Sequence, residues 1–195
     1  MGVLPIGAGR PQKKGDKMID LDASFLREEI ESEINELDGK YNPLDRDTNV
    51  RIVEDVRKAV DNIADGVIPS AKHIAEIAIA TNKNLQIRDF LMGLRLEKDM
   101  DYIGTYLSVI GNVITKDKCI PIATVFTTYL YEAEEKEYAK EFLGKVLEKN
   151  PDYSLAKLLM RVYNAQWPAS EMREMAVKLH ASILENIYEV DNDNN

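Results

Sequence analysis

Chemistry in this chain would have to come from two histidines, one cysteine and a surplus of acids. His73, His180 and Cys119 stand far apart among 34 Asp and Glu residues. Neither histidine has a second histidine four residues away, nor the carboxylate pattern of a zinc-binding helix. His73 falls in the first turn of a short helix and is expected on the surface. His180 flanks the apolar face of the last helix and is expected to be partly buried and satisfied. Cys119 has no base nearby in sequence to make it a nucleophile, and its place before Pro121 predicts the start of a helix. Asp20, Asp22, Ser24 and Glu31 fall at places one, three, five and twelve of a calcium loop, but Phe25 occupies the place that needs glycine. Gly7, Gly9 and Gly15 follow no strand and lead into no Gly-Lys-Ser/Thr turn, so they make no phosphate cradle. The sequence thus assigns no catalytic residue, no metal ligand and no cofactor. An enzyme would need a site assembled from distant groups such as Cys119, His180 and glutamates.

Binding chemistry is better represented. Arg10, Lys13, Lys14 and Lys17 form a basic stretch ahead of an acidic one, which holds Glu28, Glu29, Glu31, Glu33 and Glu36. Arg88 and Asp89 are neighbours on a helix and point about 100° apart. They are therefore expected to pair poorly with each other. Either one joins an ion pair across helices, or Arg88 lines a groove and meets an acidic partner. Tyr129, Tyr131, Tyr138, Tyr153, Tyr163 and Trp167 cluster late. Most should be core, with Tyr129, Tyr131 and Trp167 the candidate anchors for a protein partner.

The elements that must position these residues are helices. The chain has 195 residues, 45% hydrophobic and 30% charged, with only 10 Gly and 7 Pro. Sparse punctuation favours long elements. Leu26, Ile30, Ile34 and Leu37 mark a first helix, ended by Gly39, and the same face offers a route to self-association. Asn42 and Pro43 predict the start of a second helix, with Val53, Val56, Val60 and Ile63 inward. Ser70, Asn84 and Asp99 or Asp101 are expected to cap the next three. Leu107–Ile114 has enough β character to compete as a strand. Pro121 is expected to open a sixth helix, Ala139, Phe142, Leu143 and Val146 to mark a seventh, Asp152 to cap an eighth and Ser170 a ninth. No helix shows two apolar faces wide enough to be central, so neighbour-on-neighbour packing is expected.

The resulting organisation is all-α. It has a flexible basic arm over 1–18, an acidic amphipathic helix over 19–40, a helical domain over 41–190 and a disordered tail over 191–195. About nine helices pack as hairpins. No apolar run approaches the roughly 20 residues that span a bilayer. The lone cysteine fits a reducing compartment, and a cytoplasmic location is expected. The net charge of −9 opposes a broad nucleic-acid surface.

Tyr138 to Pro151 looks like the second helix of a tetratricopeptide repeat, with the small Ala139 at a close helix crossing, inside a helix pair spanning about 121–164. Over about Asn49 to Glu174 the chain resembles a large actinobacterial family of uncharacterised proteins, domain-of-unknown-function family 4192. The likeness rests on Ile87-Arg88-Asp89, the helix around Thr124–Tyr131, the stretch from Ala139 to Leu147, the run Asn150 to Ala156, and Trp167-Pro168. It implies a helical region and no established activity. Members of that family usually carry an additional N-terminal region, in whose place the charged arm is expected to stand. Lysine exceeds arginine, 16 against 9 of the 25, which is unlike GC-rich actinobacterial chromosomes and points to phage or mobile-element origin. The expected function is a non-enzymatic protein-interaction or assembly module. The alternatives are an acidic decoy that blocks a basic site on a host protein, and an enzyme whose site is not visible in sequence.

Overall fold

The computed structural model describes residues 21–114 and 116–188. The expected arm over 1–18, with Arg10, Lys13, Lys14 and Lys17, and the expected tail over 191–195 lie outside the described residues. Within them the chain forms nine α-helices: α1 (Arg27–Leu37), α2 (Arg46–Ile63), α3 (Ala71–Lys83), α4 (Leu85–Gly93), α5 (Met100–Val113), α6 (Lys116–Glu132), α7 (Lys136–Lys149), α8 (Ser154–Asn164) and α9 (Ala169–Tyr188). Short 3-10 turns precede α1 and follow α4. Leu107–Val113 is helix, because the β-branched residues there lie on a buried helical face.

Several helix starts follow from their caps. Ser70, Asn84 and Asp99 accept hydrogen bonds from the backbone of His73, Gln86 and Asp101, satisfying N–H groups that the first turn leaves open. α2 begins at Arg46, later than Asn42-Pro43 implied. Asp45 is its cap, taking the Thr48 hydroxyl at 2.7 Å, while the Asn42 side chain accepts from the Leu44 N–H and closes the preceding turn. α8 begins at Ser154, with Tyr153 rather than Asp152 at the cap position; Asp152 pairs instead with Lys157 at 3.1 Å. α9 begins at Ala169, which puts Ser170 inside its first turn. α6 starts five residues before Pro121, so the proline sits within the helix. It forgoes one backbone bond there, and the Asn82 amide donates to the nearby Lys118 carbonyl at 2.7 Å.

The packing departs from neighbour-on-neighbour stacking. α6 is central, touching α3, α4, α5, α7 and α9. Every residue from Cys119 to Tyr131 is buried. Its threonines hide the pattern in sequence, yet each hydroxyl is satisfied on its own helix: Thr124 on Ile120, Thr127 on Thr124 and Thr128 on Val125, at 2.7–2.8 Å. A threonine whose hydroxyl bonds the backbone can enter a core with little penalty. α1 lays Ile30 and Ile34 against α3. Of the face expected to offer self-association, Ile30 and Ile34 are thus taken up within the chain, while Leu26 and Leu37 are partly buried.

Candidate functional site

The densest cluster of titratable groups forms where α9 crosses α2 and α4. Arg57 of α2 grips Glu97 with both prongs, Nε to Oε2 at 2.6 Å and Nη2 to Oε1 at 2.8 Å. His180 of α9 meets the same Oε1 through Nε2 at 2.6 Å. Arg57 also donates to Glu54 at 2.9 Å and to the Tyr188 hydroxyl at 2.5 Å, and Tyr188 bonds Glu54. The guanidinium lies over the Phe90 and Tyr188 rings, 5.4 and 5.8 Å from their centroids. Burial pushes the Glu97 carboxyl up, but the hydrogen bonds from Arg57 and His180 outweigh it and hold the group below the usual carboxylate range. These charges are spent on one another. The arrangement acts as a clasp on α9, with His180 stacked on Phe90 at 5.7 Å.

Gly93 makes that seat possible. A Cβ at this position would stand 2.1 Å from His180 Nδ1. Nδ1 itself is buried without a hydrogen-bond partner, so Nε2 makes the ring's one polar contact, to Glu97.

A second buried pair lies beside the clasp. Arg95 meets Glu132 of α6 at 2.7 Å, with side chains 2% and 5% exposed. Burial pushes the Glu132 carboxyl up against the pull of Arg95 and Arg173.

Between α2 and the start of α3 is an open groove of about 440 Å³, lined by Arg51, Lys58, Lys72, His73 and Glu76 over Val67. Arg51 is bound bidentately by Glu76 and again by Asp55. His73 is half-buried rather than at the surface. Its Nε2 lies 2.8 Å from the Tyr106 hydroxyl, and burial lowers its pKa, keeping the ring neutral at pH 7.

The remaining candidates are placed as follows. Tyr129 and Tyr131 are core residues and cannot anchor a partner: Tyr129 donates to the Leu91 carbonyl, and Tyr131 stacks on Tyr163 at 4.3 Å and donates to the Trp167 carbonyl. Trp167 is half-buried at the joint between α8 and α9. Arg88 pairs with Asp89, contrary to expectation; Nε and Nη2 both reach Oδ1 at 2.7 Å. The long side chain folds back along the helix, which the angle between neighbouring Cβ directions does not prevent. With its side chain 11% exposed, Arg88 offers little to a groove. Cys119 is buried, and burial pushes its thiol up to about 11, away from the thiolate that a nucleophile needs. Among the described residues no group of His, Cys, Asp and Glu side chains is arranged to hold a metal ion, and no helix is long and apolar enough to cross a membrane.

Sequence reasoning found His180 and missed its partners. No motif or spacing sets Arg57 and Glu97 apart from the other charged residues. The available signal was Gly93, a helix-weakening residue between Leu91 and Leu94, which marks a close approach by another element.

Exposed apolar side chains occur on both α8 and α9. Leu158 of α8 and Met175, Val177 and Leu179 of α9 are 43–61% exposed. An open groove of about 510 Å³ lies on α7 and α8, lined by Tyr138, Glu141 and Met160.

Fold and site together define an all-α domain with a final helix clasped across it. The model of the family described as Domain of unknown function (DUF4192) matches residues 11–170, and the chain belongs to that family. The match begins well before the expected Asn49 and takes in part of the basic stretch. It ends at the first residues of α9. Searches of curated proteins and of solved structures return no match.

Proposed function

We propose that this protein is a non-enzymatic helical interaction module whose partner-facing surface lies on the outer sides of α8 and α9. The observation that carries the reading is the exposure of Leu158, Met175, Val177 and Leu179 on two successive helices. Lys157, Arg161, Glu174 and Lys178 on the same two helices are exposed and charged. Apolar patches rimmed by polar groups favour protein contacts, since covering them removes apolar area from water. The α7–α8 pair supports a tetratricopeptide-like reading: Ala139 is buried at the α6–α7 crossing, and the chain turns from α7 to α8 across Asn150-Pro151. The single buried thiol suits work in the cytoplasm.

The test places a photo-crosslinking residue at Leu158, at Leu179 or at Leu44, an exposed position far from both in sequence, in the native host. A discrete adduct from the first two positions and none from Leu44 is expected, with its loss in a Leu158→Ser, Leu179→Ser protein of unchanged helicity. The same products from all three positions, or none from any, refute the assignment.

A second reading follows from α1. Glu28, Glu29 and Glu31 are exposed and make no ion pair among the described residues. Such a face suits a regulator or decoy that occupies a basic host site. Binding of that kind weakens steeply as salt rises, and salt-insensitive binding excludes it.

A further inference from the structure

α9 is held by a contact unlike those that build the rest of the fold. Of its twenty residues only Met172, His180 and Ile187 are buried, whereas α3 buries eight of thirteen. Their spacings of eight and seven residues put them within one face about 80° wide. Around that face the contact is charged: His180 on Glu97 at its middle, Tyr188 on Arg57 and Glu54 at its end. The surface beneath is shaped for this occupant. Gly93 leaves the depression in which the imidazole sits, Phe90 backs the ring, and Arg57 fixes the carboxylate that receives it. Glycine inside a helix weakens it, so the depression is maintained at a cost in local stability. The family match ends at residue 170. The groove therefore belongs to the family's domain, and nearly all of the helix that fills it lies beyond.

We propose that α9 is a displaceable strap, lying in cis in a helix-binding groove formed by α2 and α4. The groove's ligand in trans is an amphipathic helix with the same pattern: an imidazole opposite Glu97, flanked two turns away on each side by an apolar side chain. This goes beyond the outer surface of α8 and α9, since it concerns the inner face of α9 and what takes its place. A chain in this closed state presents the groove only when the strap lifts, so the free energy of lifting is subtracted from the affinity for the partner helix.

The experiment uses the full chain and a fluorescein-labelled peptide of residues 169–188. Anisotropy titrations compare wild type with the His180→Ala and Tyr188→Ala proteins, which loosen the strap and leave the groove intact. The variants are expected to bind the peptide at least tenfold more tightly than wild type. A peptide carrying His180→Ala should bind none of them. In parallel, hydrogen exchange should rise over α9 in both variants while α2 to α7 keep their protection. If His180→Ala unfolds the chain, Tyr188→Ala, altered only at the strap's outer end, decides alone. Equal binding to all chains, no binding to a variant whose α9 has opened, or loss of protection throughout α2–α7 when α9 opens overturns the proposal.

Discussion

Replacing the buried Gly93 by alanine should destabilise this protein, although the change is ordinarily favourable in a helix. In a helix, alanine is better than glycine by about 1 kcal/mol. The backbone at Gly93 is right-handed (φ −87°), so alanine fits it without strain. The obstacle is the neighbour: the new methyl would stand 2.1 Å from His180 Nδ1, 2.5 Å from its Cγ and 2.9 Å from its Cβ. The ring must leave. It forfeits a charge-assisted hydrogen bond to Glu97, worth about 1.5–3 kcal/mol, and a ring contact with Phe90 worth about 0.5–1.5 kcal/mol. After the gain in helix propensity, a net loss of about 2 kcal/mol remains, or about 4–8 °C in Tm for a chain of this size. The assay is urea unfolding followed by circular dichroism, in wild type, Gly93→Ala, His180→Ala and the double variant. In the His180→Ala protein only the Cβ of residue 180, at 2.9 Å, still presses on the added methyl, so Gly93→Ala should cost much less there than in wild type. The cost of the substitution shrinks between backgrounds. An equal loss in both, or no loss in wild type, would show that the imidazole does not occupy the depression.

Two further outcomes follow from titratable groups. Glu97 has a lowered pKa in the folded chain against an ordinary value of 4.5, so the unfolded chain takes up this proton first as pH falls. Its contribution is complete above that ordinary value and is lost as pH drops through the lowered folded one. Urea midpoints measured from neutral pH into this acidic window should fall less steeply for Glu97→Gln than for wild type, and parallel slopes would contradict the clasp. Cys119, buried and with its thiol pushed up to about 11, should stay silent towards a thiol reagent at pH 8 until denaturant unfolds the chain. Rapid labelling of the native protein would place the thiol at the surface.

What the sequence revealed, and what it concealed, follows the range of the forces involved. Caps are local, and Ser70, Asn84 and Asp99 stand where short-range hydrogen bonding put them. Asn42-Pro43 was a competing local signal, and Asp45 prevailed because Thr48 answers it with both its N–H and its hydroxyl. The central place of α6 was concealed by three threonines, polar by type and apolar in effect once their hydroxyls turn onto their own helix. The clasp was harder still. Arg57, Glu97 and His180 are separated by 40 and 83 residues along the chain, and no spacing rule links them. Only a tertiary crossing turns two surface charges and a histidine into a unit. The expectation that Arg88 and Asp89 would pair poorly failed for a different reason: backbone direction says little about where a long, flexible side chain ends.

The joint before α9 carries an optical consequence. The chain's single tryptophan is Trp167, two residues ahead of α9, just after Gln166 in the left-handed region at φ 51°. Its carbonyl is held by Tyr131, whose ring is stacked on Tyr163. All indole fluorescence from this protein therefore arises at the pivot about which α9 would lift. Intrinsic emission excited beyond the absorption of the nine tyrosines, with no dye and no engineered label, reports on that one joint.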